Sequence, residues 1–231
     1  MRNIIILFFA LLLTINTKVC AQSSSNSTIE LRDKIAQTSN KFLTVKGVEL
    51  KPGLTMVELL QLLENKGFER SEYFDYVKEK YDTYDLRGTF FSHRNCSIKL
   101  LPTANNKKIV GIVGIHFPEL DTFSELSNLY YNLKSALKEK YYITSCTESF
   151  DNSYINESAS DYLKLNAISK DEGLFETRFY VSEEKLSLLL GYIVLKISHI
   201  TVDYKTTYYV SLSYITSDHT VEQFTSADDD L

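Results

Sequence analysis

Two segments of the chain open with the same local signal. Thr55-Met56-Val57-Glu58 and Thr122-Phe123-Ser124-Glu125 share a T-x-x-E spacing. In that arrangement the threonine hydroxyl accepts from the amide three residues on, and the glutamate reaches back to the threonine amide. After the first signal, Val57, Leu59, Leu60 and Leu63 recur at helical spacing and Gly67 supplies a stop. After the second, Leu126, Leu129, Tyr130, Leu133 and Leu137 form a longer stripe that continues to about Lys140. Each helix has one apolar face and must rest on another element.

Alternation at period two supplies that element. Cys96, Ile98 and Leu100 alternate with Asn95, Ser97 and Lys99, which predicts a strand with the cysteine on its buried side. Ile109 to Phe117 is apolar at nearly every position and reads as a central strand, with Ile109, Val113, Ile115 and Phe117 on one face. Pro102 ends the preceding strand, and Asn105-Asn106 with two lysines makes the turn. Leu86 to Ser92 adds another strand, whereas residues 69–84 fit a helix through Phe74, Val77, Tyr81 and Tyr84 as well as they fit strands. Later, Tyr208, Val210, Leu212 and Tyr214 alternate with Thr207, Tyr209, Ser211 and Ser213. Ile193, Leu195 and Ile197 mark its neighbour, Phe175 to Val181 a third strand, and Val202 to Lys205 a short loop. Phe42 to Val45 before Gly47 reads as a first strand. The pattern predicts an α+β fold of two tandem helix-on-antiparallel-sheet units forming one compact domain, residues 41–118 and 119–216. Ahead of them lie a polar linker with a short helix (22–40), in which QSSSNST (22–28) is solvated, and behind them an acidic tail (217–231) that frays.

The N-terminus changes where this fold is expected to work. Met1 and Arg2 precede an unbroken apolar run from Ile4 to Leu13, about half the roughly 20 residues a spanning helix needs. Val19-Cys20-Ala21 fits a signal-peptidase site, so residues 1–21 read as a signal peptide and the protein as periplasmic or extracellular. Cys20 also admits a lipid anchor, although Val19 and Lys18 before it are unlike a lipoprotein signal. No later stretch predicts a transmembrane helix: Leu186 to Ile200 is interrupted by Gly191, Lys196 and His199. Removing residues 1–21 takes the formal charge from −5 to −7, because Arg2 and Lys18 leave with the signal. An acidic chain without a basic stripe is not expected to bind nucleic acid. Cleavage leaves Cys96 and Cys146. Outside the cytoplasm they suggest one disulfide, the alternative being two unrelated thiols.

Motifs for catalysis are missing. His93, His116, His199 and His219 do not fall at metal-ligand spacing, and His93 and Cys96 should point to opposite faces of a strand. Gly111-Ile112-Val113-Gly114 lacks the lysine and hydroxyl of a phosphate loop. Asp82 with Asp85, or Asp228 with Asp229, are paired acids that read as solvated charge, and no catalytic residue, metal or cofactor is assigned. Aromatic residues are the surplus: 16 Tyr and 13 Phe with no Trp. Tyr73, Tyr76, Tyr81 and Tyr84 fall within twelve residues, and with Tyr209 on an outer strand face they are the candidate partner-binding patch.

Several of these stretches carry a resemblance. Val45-Lys46-Gly47-Val48, Pro52-Gly53 with the helix to Lys66-Gly67-Phe68, Gly88 to Cys96, Ile115-His116-Phe117-Pro118-Glu119, Cys146 with Glu148 and Phe150, and the terminal Asp229-Asp230-Leu231 resemble a family of uncharacterised exported proteins from Gram-negative gut bacteria. The resemblance covers most of residues 42–231, is structural in character, and implies the Cys96–Cys146 disulfide because both cysteines recur in the family. Tyr141-Tyr142 and the insert from Glu69 to Leu86 depart from it. The repeated helix-and-sheet plan is similar to that of the β-lactamase inhibitor protein, which implies binding through a concave sheet. The expected function is therefore a non-enzymatic exported module that binds another envelope or extracellular protein as inhibitor, immunity partner or adaptor. The alternatives are an envelope hydrolase with an unrecognised site and a small-ligand carrier or sensor.

Overall fold

The computed structural model describes residues 20–39, 41–151, 154–156, 158–183 and 185–227. The T-x-x-E signals act as local chemistry dictates. Thr55 caps the helix α2 (Met56–Glu64) with both reciprocal bonds in place, and Thr122 caps α4 (Phe123–Lys138) by accepting from the Glu125 amide at 3.2 Å. At Thr122 the glutamate carboxylate takes the threonine hydroxyl at 2.8 Å. The apolar stripe of α4 is buried as expected at Leu126, Leu129, Tyr130, Leu133 and Leu137. Each such leucine contributes about 1.5–3 kcal/mol by leaving water.

Both helices rest on one antiparallel sheet. Its strands are β3 (Glu69–Arg70), β4 (Tyr84–Phe90), β5 (His93–Pro102), β6 (Val110–His116), β7 (Tyr142–Phe150), β8 (Gly173–Tyr180), β9 (Gly191–Val202) and β10 (Lys205–Thr216), a separate hairpin being formed by β1 (Thr44–Val45) and β2 (Val48–Glu49). The order is β3-β4-β5-β6-β10-β9-β8-β7, antiparallel at every step. The protein is thus α+β, and its element order repeats. With α3 (Phe74–Tyr81) and α5 (Asp161–Ser169), the chain runs α2-β3-α3-β4-β5-β6 and then α4-β7-α5-β8-β9-β10. The last strand of each series, β6 and β10, pair at the middle of the sheet. On one side Leu86, Ile98, Leu100, Val113, Ile115, Phe179, Ile193, Leu195, Val210 and Leu212 are fully buried beneath the helices.

Three two-residue connections have both residues at positive φ, the type I′ geometry whose twist suits a hairpin: Lys46-Gly47, Phe91-Ser92 and Asp203-Tyr204. Gly47 adopts that backbone freely. A phenylalanine at φ 45° and a tyrosine at φ 65° do not, and each costs about 1–2 kcal/mol.

The ends of the chain differ from expectation. The stretch 22–28 is not a linker but part of a helix, α1 (Cys20–Ser39), and most of the anticipated tail is α6 (Ser217–Ala227). Serine- and threonine-rich segments have weak helix propensity, and the contacts that anchor α1 lie further along it. Ala36 and Arg32 of α1 are buried, Arg32 pairs with Asp218 of α6 at 2.6 Å, and Thr220 and Val221 of α6 are buried in turn. Asp218 also accepts from the Gly53 amide at 2.7 Å, and Glu222 accepts the amides of Ala104 and Asn105. Residues 1–19, which hold most of the expected signal peptide, and Asp228, Asp229 and the C-terminus lie outside the described residues.

The disulfide is a correction. Cys96 lies on β5 and Cys146 on β7, five strands apart in the sheet order, and both are free. At about 4.8 Å per strand the separation is roughly 24 Å, against an upper limit near 7 Å between bridged α-carbons. The sulfur of Cys96 is buried and donates to the His93 carbonyl at 3.3 Å.

Candidate functional site: the open face of the sheet

Because α2 to α5 lie on one side, the alternating residues of the other side face outward. The register sets them in rows. Arg87, Ser97, His116, Ser211, Lys196 and Glu176 stand side by side across β4, β5, β6, β10, β9 and β8. Asp85, Lys99, Gly114, Ser213, Val194 and Arg178 form the next row. The middle of this face is a floor of small residues, Gly114 and Ser211, which are buried, with half-buried Ser97 and Ser213, flanked by Lys99 and Lys196. Glu176 is held by Arg178 at 2.9 Å and Asp85 by Ser97 at 3.2 Å.

An aromatic pair rises from that floor. The rings of His116 and Tyr209 lie 5.0 Å apart at an interplanar angle of 32°. Burial, reinforced by the Lys99 charge, holds the His116 imidazole below its ordinary pKa, so it is neutral near pH 7. Burial also pushes the Tyr209 phenol up. Beyond the pair, the chain continues onto the β9–β10 hairpin, which carries Ile200 and Val202 and ends at Tyr204. All three are exposed, Tyr204 completely. β9 pairs with β8 only over residues 192–196, so this hairpin extends past its neighbour.

The tyrosines anticipated as one patch are divided. Tyr209 stands on the open face as expected. Tyr73, Tyr76 and Tyr81 are exposed on α3, which packs on the helix side through Phe74 against Tyr84, at 5.4 Å between rings. Tyr84 itself is buried, because in β4 it pairs with Leu100 and shares that residue's inward face. It leaves the proposed patch. Tyr76 and Tyr81 do form a local cluster: their rings lie 6.4 Å apart, with the Lys80 ammonium over both and donating to the Tyr76 hydroxyl at 2.8 Å.

The other candidates disperse in the same way. Asp82 is a left-handed cap ending α3, while Asp85 faces the open side, so that acid pair shares no cleft. His93 approaches Phe117 at 5.5 Å, on the inward side that Cys96 also faces. The opposite-face expectation fails because Asn95 at φ 60° and a register shift near Gly88 break the alternation. Gly111 and Gly114 lie in β6, and a Cβ on Gly111 would meet the Pro102 carbonyl at 2.8 Å, so close strand approach explains that glycine. No group of three His, Cys, Asp or Glu arranged to hold a metal occurs among the described residues. No helix among them is long and apolar enough to cross a membrane.

Pattern reading did not anticipate a polar cluster at the β7 edge. Lys134 of α4 bonds Glu148 at 2.5 Å and reaches the sulfur of exposed Cys146 at 3.1 Å. Beneath it the Tyr130 hydroxyl meets that of Thr177 at 2.6 Å, both buried. Partial burial is the largest single influence on Glu148 and opposes its ionisation, but hydrogen bonds from Lys134, Cys146 and Tyr130 together with the Lys134 charge outweigh it and hold the carboxyl below its usual range. The cluster ties α4 to the edge strand. Sequence spacing offered no signal for it, since its members come from a helix and two strands 12 to 47 residues apart. Compared with known proteins, the chain matches no family model, no curated protein and no solved structure.

Proposed function

We propose that the chain is an exported, non-enzymatic binding module that engages another envelope or extracellular protein through the open face of its sheet. The observation that carries this reading is the combination, on the sheet face opposite α2 to α5, of a small-residue floor, the His116–Tyr209 pair and the exposed Ile200–Val202–Tyr204 hairpin. Aromatic and aliphatic side chains set against a polar surface have the composition of binding hot spots. The apolar N-terminal run supports export, and the similarity of plan to the β-lactamase inhibitor protein supports an inhibitor-like or adaptor-like role.

A photo-crosslinking residue placed at Tyr209 or Val202 in living cells tests the face directly, with Tyr76 on the opposite side as the comparison. A discrete adduct from the open-face positions and none from Tyr76 is the expected result. Adducts from Tyr76 alone, or none from either open-face position, would sink the reading.

A further inference from the structure

A second site lies on the helix side, where the two series of elements meet. A cavity of about 320 Å³ opens between the β1–β2 hairpin, the β4–β5 turn and the end of α4, with Tyr214 of β10 lining it. That volume falls at the small end of ligand pockets. Leu137, Phe90 and Phe91 give it apolar walls, while Lys46 and Lys140 stand with Glu139 at its rim. The rim therefore carries one net positive charge in a chain of formal charge −5.

Two features inside the cavity are hard to explain as packing alone. Tyr214 is 2% exposed, no hydrogen bond joins its hydroxyl to any other described residue, and that oxygen is not sealed from the cavity the residue lines. Burial pushes this phenol far up, so the group is a neutral donor. Its neighbour Tyr141 is already engaged, its oxygen accepting the Thr44 amide at 3.1 Å and hydrogen-bonded to the Thr44 hydroxyl at 3.1 Å. The second feature is Phe91, which holds a left-handed backbone while its ring stands 5.1 Å from that of Phe90 at the cavity wall. Strained aromatic positions of this kind persist where surrounding structure or a ligand makes use of them.

We propose that this cavity binds a small organic monocarboxylate with an apolar body, the carboxylate taking the Tyr214 hydroxyl and the ammonium groups of Lys46 and Lys140, the body lying between Phe90, Phe91 and Leu137. A cationic ligand would meet two ammonium groups and an unmatched donor. A neutral apolar ligand would leave the same donor unsatisfied.

Calorimetric titration of the purified protein with octanoate, and in parallel with octylammonium and 1-octanol, reads the selectivity. Octanoate is expected to bind saturably at one site and at least tenfold more tightly than either of the others. Tyr214→Phe, which preserves the ring, should weaken octanoate at least tenfold, as loss of a hydrogen bond to a charged group does. Charge reversal at both rim lysines, Lys46→Glu with Lys140→Glu, should do the same, and both lysines are exposed so the fold does not depend on them. Absence of saturable octanoate binding, equal binding of octylammonium or octanol, or undiminished affinity in the charge-reversed protein would each overturn the proposal.

Discussion

Two glycines of the sheet, changed in the same way, should move stability in opposite directions. Gly191 begins β9 at φ 90° opposite Thr216, and a Cβ built there would lie 2.3 Å from the Ile215 carbonyl oxygen and 3.1 Å from both Leu43 and the Ser217 amide. Gly191→Ala therefore costs about 1–2 kcal/mol for a left-handed L residue. It also costs about 1 kcal/mol for each end-of-ladder hydrogen bond that must open to admit the methyl group, for a total near 3 kcal/mol. In a chain of this length, 1 kcal/mol moves the midpoint by about 2–4 °C, so Tm should fall by about 6–12 °C. At Gly114 the nearest atoms to an added Cβ are the Lys99 carbonyl at 3.9 Å and His116 Nε2 at 4.0 Å. The backbone there is ordinary strand, so Gly114→Ala removes unfolded-state freedom at little steric cost and should stabilise by about 0.5–1 kcal/mol. Thermal and guanidinium unfolding followed by circular dichroism measures both. A Gly191→Ala protein within about 1 kcal/mol of wild type, or a Gly114→Ala protein less stable than it, would refute the register on which these contacts rest.

Other consequences can be read individually. In protein lacking residues 1–21, a thiol reagent should label Cys146 rapidly and Cys96 only on unfolding, and reduction should leave the midpoint unchanged, because the first thiol is exposed and the second buried; a single slow phase, or loss of stability on reduction, would contradict this. Tyr130→Phe removes the 2.6 Å bond between two buried hydroxyls and leaves Thr177 only its 3.5 Å contact with the Cys146 sulfur, so it should cost about 0.5–1.5 kcal/mol of unfolding free energy in denaturant titration, where a value near zero would mean that the pair is hydrated. The native pKa of His116 lies below its ordinary 6.5, so below that pH the unfolded chain binds the extra proton first. Stability should then decline as pH falls from about 6.5 toward the depressed native value, and His116→Gln should flatten that part of the profile; an unchanged slope in the variant would assign the decline to other groups.

How far the sequence could be read depended on whether each signal was local. The T-x-x-E caps, the α4 stripe and the alternation at Cys96-Ile98-Leu100 and Val210-Leu212-Tyr214 are all short-range patterns. Each reappears at those residues. What escaped were elements stabilised from a distance. β7 has no buried position because it is an edge strand, so no regular alternation marks it. α1 and α6 form against each other through Arg32 and Asp218, a pairing across 186 residues. The hairpin at Phe91-Ser92 lacks the Asn-Gly signature of its turn type, and the buried Tyr84 was grouped with exposed tyrosines because residues 69–84 admit helical and strand periods equally. The disulfide inference failed for a similar reason: two cysteines and an expected export signal carry no information about strand order. Of the open face, Tyr209 was legible from alternation, but its His116 partner required the β6–β10 register.

That register also explains why the two proposed sites lie back to back. The repeated element order brings β6 and β10, the final strands of each series, together at the centre of the sheet. A residue of β10 therefore faces either the open floor or the helix side according to parity alone. Ser213 stands between Gly114 and Val194 on the floor, and Tyr214, the next residue, lines the cavity beneath. Substitutions that shift β10 would disturb both surfaces and distinguish nothing. Tyr214→Phe is informative because it deletes one oxygen from a packed ring and leaves the pairing of Ser211 and Ser213 in place. In that protein, crosslinking from Tyr209 should persist while octanoate affinity falls. Loss of crosslinking with octanoate binding intact would instead tie the Tyr214 hydroxyl to the partner surface, and the assignment of carboxylate recognition to the cavity would fail.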